Sequence, residues 1–501
     1  MDIKQNKLAY KWVWVTATAV FCILFAFALI PGAAAQANSL SAGSSAQTRN
    51  YSNTMQNVFD FILRNYVEEV DPQVLFEGAM NGMFGALDDP YSAFLTESDM
   101  RDMSHTTQGS FGGVGLHITK ATVPRPDGRP MWVEVSAPIE GTPGWRAGIS
   151  PGDFITEING IPTETIGMDE VLGMLRGPPG EQVRLVIRRG ERMEFPVTIT
   201  RAIIEVPTVR YAMIGDTGYL RITTFTPMTV GRAREAIEEF KANNYKSLIL
   251  DLRYNYGGRL DAAVDIANLF LDGGLVVRTR SRIPSENRDF NARRSAFIPD
   301  DIPIVVLINR ASASASEIVA GALKDRGRAY LVGEKTFGKG SVQQVFPLNN
   351  NGIRITTAHY YTPSDANIDK IGIPPDRVVR FPEITEEEAG ELNKLINANR
   401  IPGFAAENPQ ANAAQIEAFA VTLGNEFNLD LSLLRRLIRN ELRRTEIAPV
   451  YDLEYDIQLQ EAINILRSGD YQYLIRNAKS IKTLQEELLQ AMEENDLALA
   501  S

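Results

Sequence analysis

A multidomain α/β protein is expected, with a β-rich insert and helical regions at both ends. Three observations lead there. At 501 residues the chain exceeds what one hydrophobic core organises, so three or more domains are needed. From about Gly218 to Val379 strand-like and helix-like segments alternate, which predicts an α/β layer with a largely parallel sheet. From about Gly109 to Arg201 short strands and glycine turns take over, and after Pro382 the chain reads as charged helices.

The composition, 44% hydrophobic and 23% charged, is that of a soluble protein. The formal net charge is −11, of which the first 37 residues carry +2, so the remainder carries −13. A surface this acidic argues against a nucleic-acid partner, because phosphate contacts need basic side chains.

Residues 1–37 read as an export segment. Lys4, Lys7 and Lys11 precede the apolar run WVWVTATAVFCILFAFALI, and PGAAAQA then offers small residues at cleavage spacing. The run is long for a signal peptide and near the minimum for a membrane span, so a cleaved signal and a retained anchor both fit. Either places the bulk of the protein outside the cytoplasm, in the periplasm or cell envelope, with membrane contact only through this segment. Cys22, the single cysteine, lies in the run, so no internal disulfide forms. The bulky Phe21 before it argues against lipoprotein processing.

Residues 38–103 combine a polar linker with an N-terminal helical region. Val58, Phe61, Ile62 and Tyr66 recur at helical spacing, as do Phe76, Ala79, Met80, Met83 and Phe84. DDPYSAFL then breaks the pattern with a turn at Pro90.

Residues 104–205 contain a glycine loop entering a strand (GGVGLHI), two strands around a short turn-helix, the amphipathic helix MDEVLGMLRG, and a hairpin at Arg189–Gly190. This order resembles a PDZ domain of the bacterial arrangement. The resemblance implies that the amides of Val114, Gly115 and Leu116 meet a substrate's terminal carboxylate and that the peptide lies as an added strand. Arg176 ends the helix that would line the groove. It fits a partner for the peptide terminus, a partner for a core carboxylate that couples occupancy to the active site, or a solvated arginine at a helix C-terminus.

Residues 206–384 hold the α/β layer and its most informative stretch, ASASASEIVAGALKDRGRAYLVGEKTFGKGSVQ. A phosphate loop fails there. After Gly338-Lys339 a Ser or Thr and a helix are required, yet Gly340 and the strand-like SVQQVFPL follow. Ser314-x-x-Glu317 is a capping-box pattern, which a helix needs whatever the function. A serine at a strand-to-helix junction also sees a field that favours an oxyanion. Such a serine needs a base. The three histidines are His105, His117 and His359; the last is not excluded by spacing, though a lone strand histidine usually has a structural role. Lys339 is the other option, if burial lowers its pKa enough to leave it neutral. On a continuous strand Lys339, Ser341 and Gln343 would share one side, where Gln343 could hold the amine. Gly257-Gly258 in DLRYNYGGRL could offer oxyanion amides or simply make a sharp turn. Residue chemistry alone does not choose Ser314 over Ser312 or Ser316.

DDPYSAFL, DLRYNYGG, ASASASEIVAGAL and VGEKTFGKGSVQ, in this order around a PDZ-like insert, resemble the carboxyl-terminal processing (tail-specific) peptidases over about Tyr51 to Val379. The resemblance implies a serine peptidase with a Ser–Lys dyad. Ser314 would be its nucleophile, Lys339 its base, Gln343 the helper, and the amides of Ala315 and Gly258 the oxyanion donors. The loop reads RYNYGG where members commonly read RNNPGG. The implied protein is an exported endopeptidase acting on protein or peptide substrates with free C-termini, without cofactor. No His/Cys/carboxylate cluster suggests a metal. The competing class is a PDZ scaffold with a dead peptidase core, against which intact Ser314, Lys339 and Gln343 argue.

Residues 385–501 form the C-terminal helical region. Leu431, Leu434, Leu437 and Ile438 recur at helical spacing. They fit a homo-oligomer surface and a cover on the core of the same chain equally well.

Overall fold

The computed structural model describes residues 46–100, 103, 110–121, 130–139, 141–190, 193–205, 207–382, 384–444 and 449–500. The export segment with Cys22, and His105, lie outside them. The chain divides into two compact units, one of residues 1–109, 208–378 and 464–501, the other of residues 110–207 and 379–463.

The first unit is built on a six-stranded sheet, in the order Val209–Ile214, Thr217–Ile222, Ser247–Asp251, Ile304–Ile308, Tyr330–Gly333, Arg377–Val378. Its first pair is antiparallel and the rest are parallel. SLILD and IVVLI are buried at every position, as central strands covered on both faces must be. Helices Thr229–Ala242, Leu260–Phe270 and Ala315–Asp325 supply that cover, with Phe240, Ile266 and Val319 in one contiguous core.

A second, antiparallel sheet went unrecognised in the sequence. Asn351–Tyr361 pairs with Ser341–Leu348, Gly274–Ser281 and the short strand Ala93–Leu95, and Gly274–Ser281 pairs with Arg288–Ala292. The DDPYSAFL turn therefore ends in a strand. The late residues of this unit anchor on the parallel sheet, on helix Ala315–Asp325 and on the segment 367–372. Tyr471 Oη accepts the Ile304 N–H and donates to the Ile304 carbonyl, both at 2.9 Å. The Ile481 N–H donates to Asp325 (2.8 Å), and Gln485 Nε2 donates to the carbonyls of Asn367 (2.9 Å) and Gly372 (2.7 Å). Helix Ala46–Asn65 contributes no buried residue, and the apolar residues recurring along it are largely exposed, Phe61 at 66%.

The second unit contains a sheet ordered Leu116–Lys120, Val133–Pro138, Phe154–Ile158, Gln182–Arg189, Met193–Thr200. Helix Met168–Leu175 buries Val171 and Leu175 against it, sealing a core with Val135, Ile155 and Leu185. Helices Glu386–Asn397, Ala413–Phe427 and Leu431–Leu442 form a separate cluster. Leu434 and Ile438 are fully buried in that cluster. Of the stripe Leu431, Leu434, Leu437 and Ile438, these two pack against neighbouring helices of the same chain, while Leu431 and Leu437 are half-buried.

Candidate active site

The serine cluster follows strand Ile304–Ile308, and hydrogen bonds separate its three hydroxyls. Ser312 Oγ donates to the Leu252 carbonyl and Ser316 Oγ to the Asn255 carbonyl, both at 2.8 Å. Ser314 Oγ is fully buried and has no partner among the described residues. Two of the serines thus pin the RYNYGG loop, and one keeps an uncommitted hydroxyl. Ser314 also sits at φ 55°, ψ −112°, a left-handed conformation rare outside glycine. It lies at the N-terminus of helix Ala315–Asp325, where the helix dipole favours negative charge.

The capping box is half made. The Ser314 N–H donates to the Glu317 carboxylate at 2.8 Å, while the reciprocal bond from the Glu317 amide to Ser314 Oγ falls outside hydrogen-bond geometry. The Glu317 carboxylate also accepts Thr336 Oγ1 (2.5 Å) and the amides of Gly338 (2.8 Å) and Lys339 (2.9 Å). Burial pushes this carboxyl up to about 7, against the pull of those four donors. Glu317 is thus more than a cap: it ties the serine turn to the lysine loop.

Lys339 is 5% exposed. Strand Ser341–Leu348 begins two residues after it, and a register shift falls between Val342 and Gln343, so the shared face expected for Lys339, Ser341 and Gln343 is broken. The glycines that flank Lys339 are crowded by another stretch of backbone. A Cβ on Gly340 would lie 2.2 Å from the Asp369 nitrogen, and one on Gly338 would lie 3.0 Å from the Gly372 nitrogen. The loop packs backbone to backbone there, which also disposes of the phosphate-loop reading. The Lys339 Nζ lies 4.5 Å from the Tyr91 ring centroid. Gln343 Nε2 donates to Ser341 Oγ (2.9 Å) and Thr356 Oγ1 (3.2 Å). His359 is half exposed, with Nδ1 3.7 Å from Asp369; His117 is exposed on a strand of the other unit.

The double-glycine loop lies directly against the serine. A Cβ on Gly257 would sit 2.8 Å from Ser314 Cβ and 3.0 Å from the Ala315 nitrogen. The Gly257 N–H is taken by Asn255 Oδ1 at 2.9 Å. Among the described residues the amides of Gly258 and Ala315 donate to nothing. Below the loop, Arg253 and Tyr219 Oη (2.6 Å) bind the buried Asp251. Burial alone would push that carboxyl up; Arg253, Arg221 and Tyr219 hold it below its ordinary value.

In the other unit, the amides of Val114 and Gly115 likewise donate to no described group, and Gly115 at φ 78° packs against Thr142. Leu116 opens the following strand. The Arg176 guanidinium lies 5.1 Å from the ring centroid of Phe111, which sits just ahead of this loop.

Comparison with known proteins matches residues 216–379 to peptidase family S41, residues 134–189 to the PDZ domain, and residues 20–98 to the activating protease CtpB N-terminal domain. A carboxy-terminal-processing protease of Bartonella bacilliformis is 35% identical over 84% of this chain and 97% of its own. The chain belongs to peptidase family S41. A carboxyl-terminal-processing protease of Synechocystis is 38% identical over 62% of this chain and 72% of its own. The solved photosystem II D1 C-terminal processing protease covers 67% of this chain and 89% of its own, at 30% identity and a TM-score of 0.41.

The protein is thus an S41 peptidase, of the C-terminal processing serine proteases that carry a PDZ domain. Two contributors to its site were not found from sequence. Tyr91 was quoted only as part of a turn, since nothing local ties it to Lys339. Asn309 was overlooked, although its Oδ1 accepts the amides of Tyr254 (3.0 Å) and Ala311 (3.1 Å) and so joins the two loops. A polar residue ending an all-apolar strand was the available signal.

Proposed function

We propose that this S41 peptidase cleaves proteins by acyl transfer with Ser314 as nucleophile and Lys339 as base. The observation that carries the reading is the single uncommitted hydroxyl of the serine cluster, Ser314 Oγ, buried at a helix N-terminus. The neutral Lys339 amine takes the Ser314 proton as Oγ attacks the scissile carbonyl. The amides of Gly258 and Ala315 receive the oxyanion. Lysine then returns the proton to the leaving amine, and water enters by the reverse sequence to release the acyl group and restore Ser314. Gln343 braces Ser341 and Thr356 beside the lysine loop.

The Val114–Leu116 loop receives the substrate's terminal carboxylate, and its two uncommitted amides support that reading. Residues 1–37 export the enzyme or anchor it in the membrane, which puts its protein substrates in the periplasm or cell envelope.

Hydrolysis of an unfolded reporter tests the chemistry. Ser314→Ala, Lys339→Ala and Lys339→Arg each lose several orders of magnitude in kcat, the last because arginine stays charged. Wild-type turnover in Ser314→Ala would overturn the assignment.

A further inference from the structure

The N-terminal turn reaches the lysine through a series of bonds. The Asp89 carboxylate accepts the Tyr91 amide (3.0 Å) and Ser92 Oγ (2.5 Å). Arg354 Nε donates to the Tyr91 carbonyl (2.8 Å), and Ser92 Oγ accepts the Thr356 N–H (3.0 Å). Ala93–Leu95 then pairs with Gly352–Arg354, so the turn is fixed to the strand whose Thr356 receives Gln343. This leaves the Tyr91 ring 4.5 Å from Lys339 Nζ, within the range of a cation–π contact.

We infer that Tyr91 is a positioning residue for the base, holding the ammonium that Lys339 becomes during acyl transfer. The inference rests on the reading of Lys339 as the base. A buried lysine that must gain and lose a proton poses a problem. Burial favours the neutral form, yet each turnover creates the charged one beside an oxyanion. A carboxylate at Nζ would hold the lysine permanently protonated. An aromatic face attracts the ammonium more weakly and fixes the direction of approach. The N-terminal segment thereby joins a site whose nucleophile and base both lie more than two hundred residues further along the chain.

Other charged groups near the lysine loop and the turn are Glu317 on the Lys339 amide, Asp369 on the Gly340 amide with His359 beside it, and Asp89 and Arg354 on the turn. None of them is altered in the following test. Full-length enzyme is prepared with Tyr91→Phe as reference and with mono-, di- and pentafluorinated phenylalanine at the same position. Ring shape is nearly constant, while the negative face is progressively removed. The acid limb of kcat/KM against pH is expected to move to lower pH with fluorination, by up to about one unit across the series. Tyr91→Leu, which removes the ring, lowers kcat about tenfold more than it changes KM, and Phe restores most of the loss. A limb that stays fixed through the fluorinated series overturns the inference. Activity in Lys339→Ala would instead remove the base assignment itself, so the two failures are distinguishable.

Discussion

The backbone amides of Ser314 and Lys339 donate to the same oxygen, Oε2 of Glu317, at 2.8 and 2.9 Å. One buried carboxylate therefore sets the separation of the two loops. Glu317→Gln replaces one carboxylate oxygen with an NH2 group that faces two of the four donors. It is expected to cost about 3 kcal/mol of stability and to lower kcat at least tenfold. Because burial raises this carboxyl to about 7 from an ordinary 4.5, the folded state binds the proton more tightly than the unfolded chain. The corresponding stability is full below pH 4.5 and is lost as pH rises through 7, about 3 kcal/mol in all. Melting temperatures at pH 5 and 8 check this: the wild type should fall by more than the Gln variant. Equal falls would mean that Glu317 does not titrate there.

Gly257 and Gly258, at φ 106° and 144°, admit no side chain. Gly258→Ala places a methyl group 2.2 Å from the Phe225 carbonyl oxygen, and Gly257→Ala presses on Ser314 Cβ. Each variant should lose on the order of a hundredfold in kcat, the scale of one missing oxyanion donor. Peptide turnover, measured beside a melting curve, decides. Full activity in both would exclude the loop from the oxyanion site.

Tyr254 occupies φ 58°, a conformation that asparagine tolerates and an aromatic residue does not. It is one of two positions, with Tyr256, where RYNYGG departs from the commoner RNNPGG. Its side chain is 57% exposed, so removing it loses little packing. Tyr254→Asn is expected to stabilise the protein by about 1 kcal/mol. An unchanged or lower melting temperature would show that the ring contributes contacts outweighing the strain.

Arg176 stacks on Phe111, one strand-length ahead of the Val114–Leu116 loop. A substrate pair differing only in a free or amidated C-terminus should show faster cleavage of the free form. Arg176→Ala should shrink that difference if the guanidinium reads the terminus. Equal wild-type rates for both forms would mean that the loop does not select carboxylates.

The parallel sheet was legible because strands buried on both faces are unbroken apolar runs, as in SLILD and IVVLI. Ser314 and Glu317 were legible because a helix start has a short local pattern. The hairpin Gly274–Ala292 was not, because Arg278, Arg280, Arg288 and Asp289 mask the alternation and its sheet partner lies far along the chain. The break between Lys339 and Gln343 was hidden for a related reason. Gly338 and Gly340 beside Lys339 pack on the backbone at 368–372, and nothing local in the sequence names that partner.

The anchoring of Ile481 and Gln485 on the first unit sets a clock on synthesis. Gln485 braces the segment 367–373, against which the Lys339 loop packs. A ribosome adding 5–20 residues per second reaches that brace on the order of ten seconds after Ser314 has been made. During that interval the nascent chain carries serine and lysine without the support that holds them in register. Support for the catalytic loops thus arrives only when the C-terminal helix has been made.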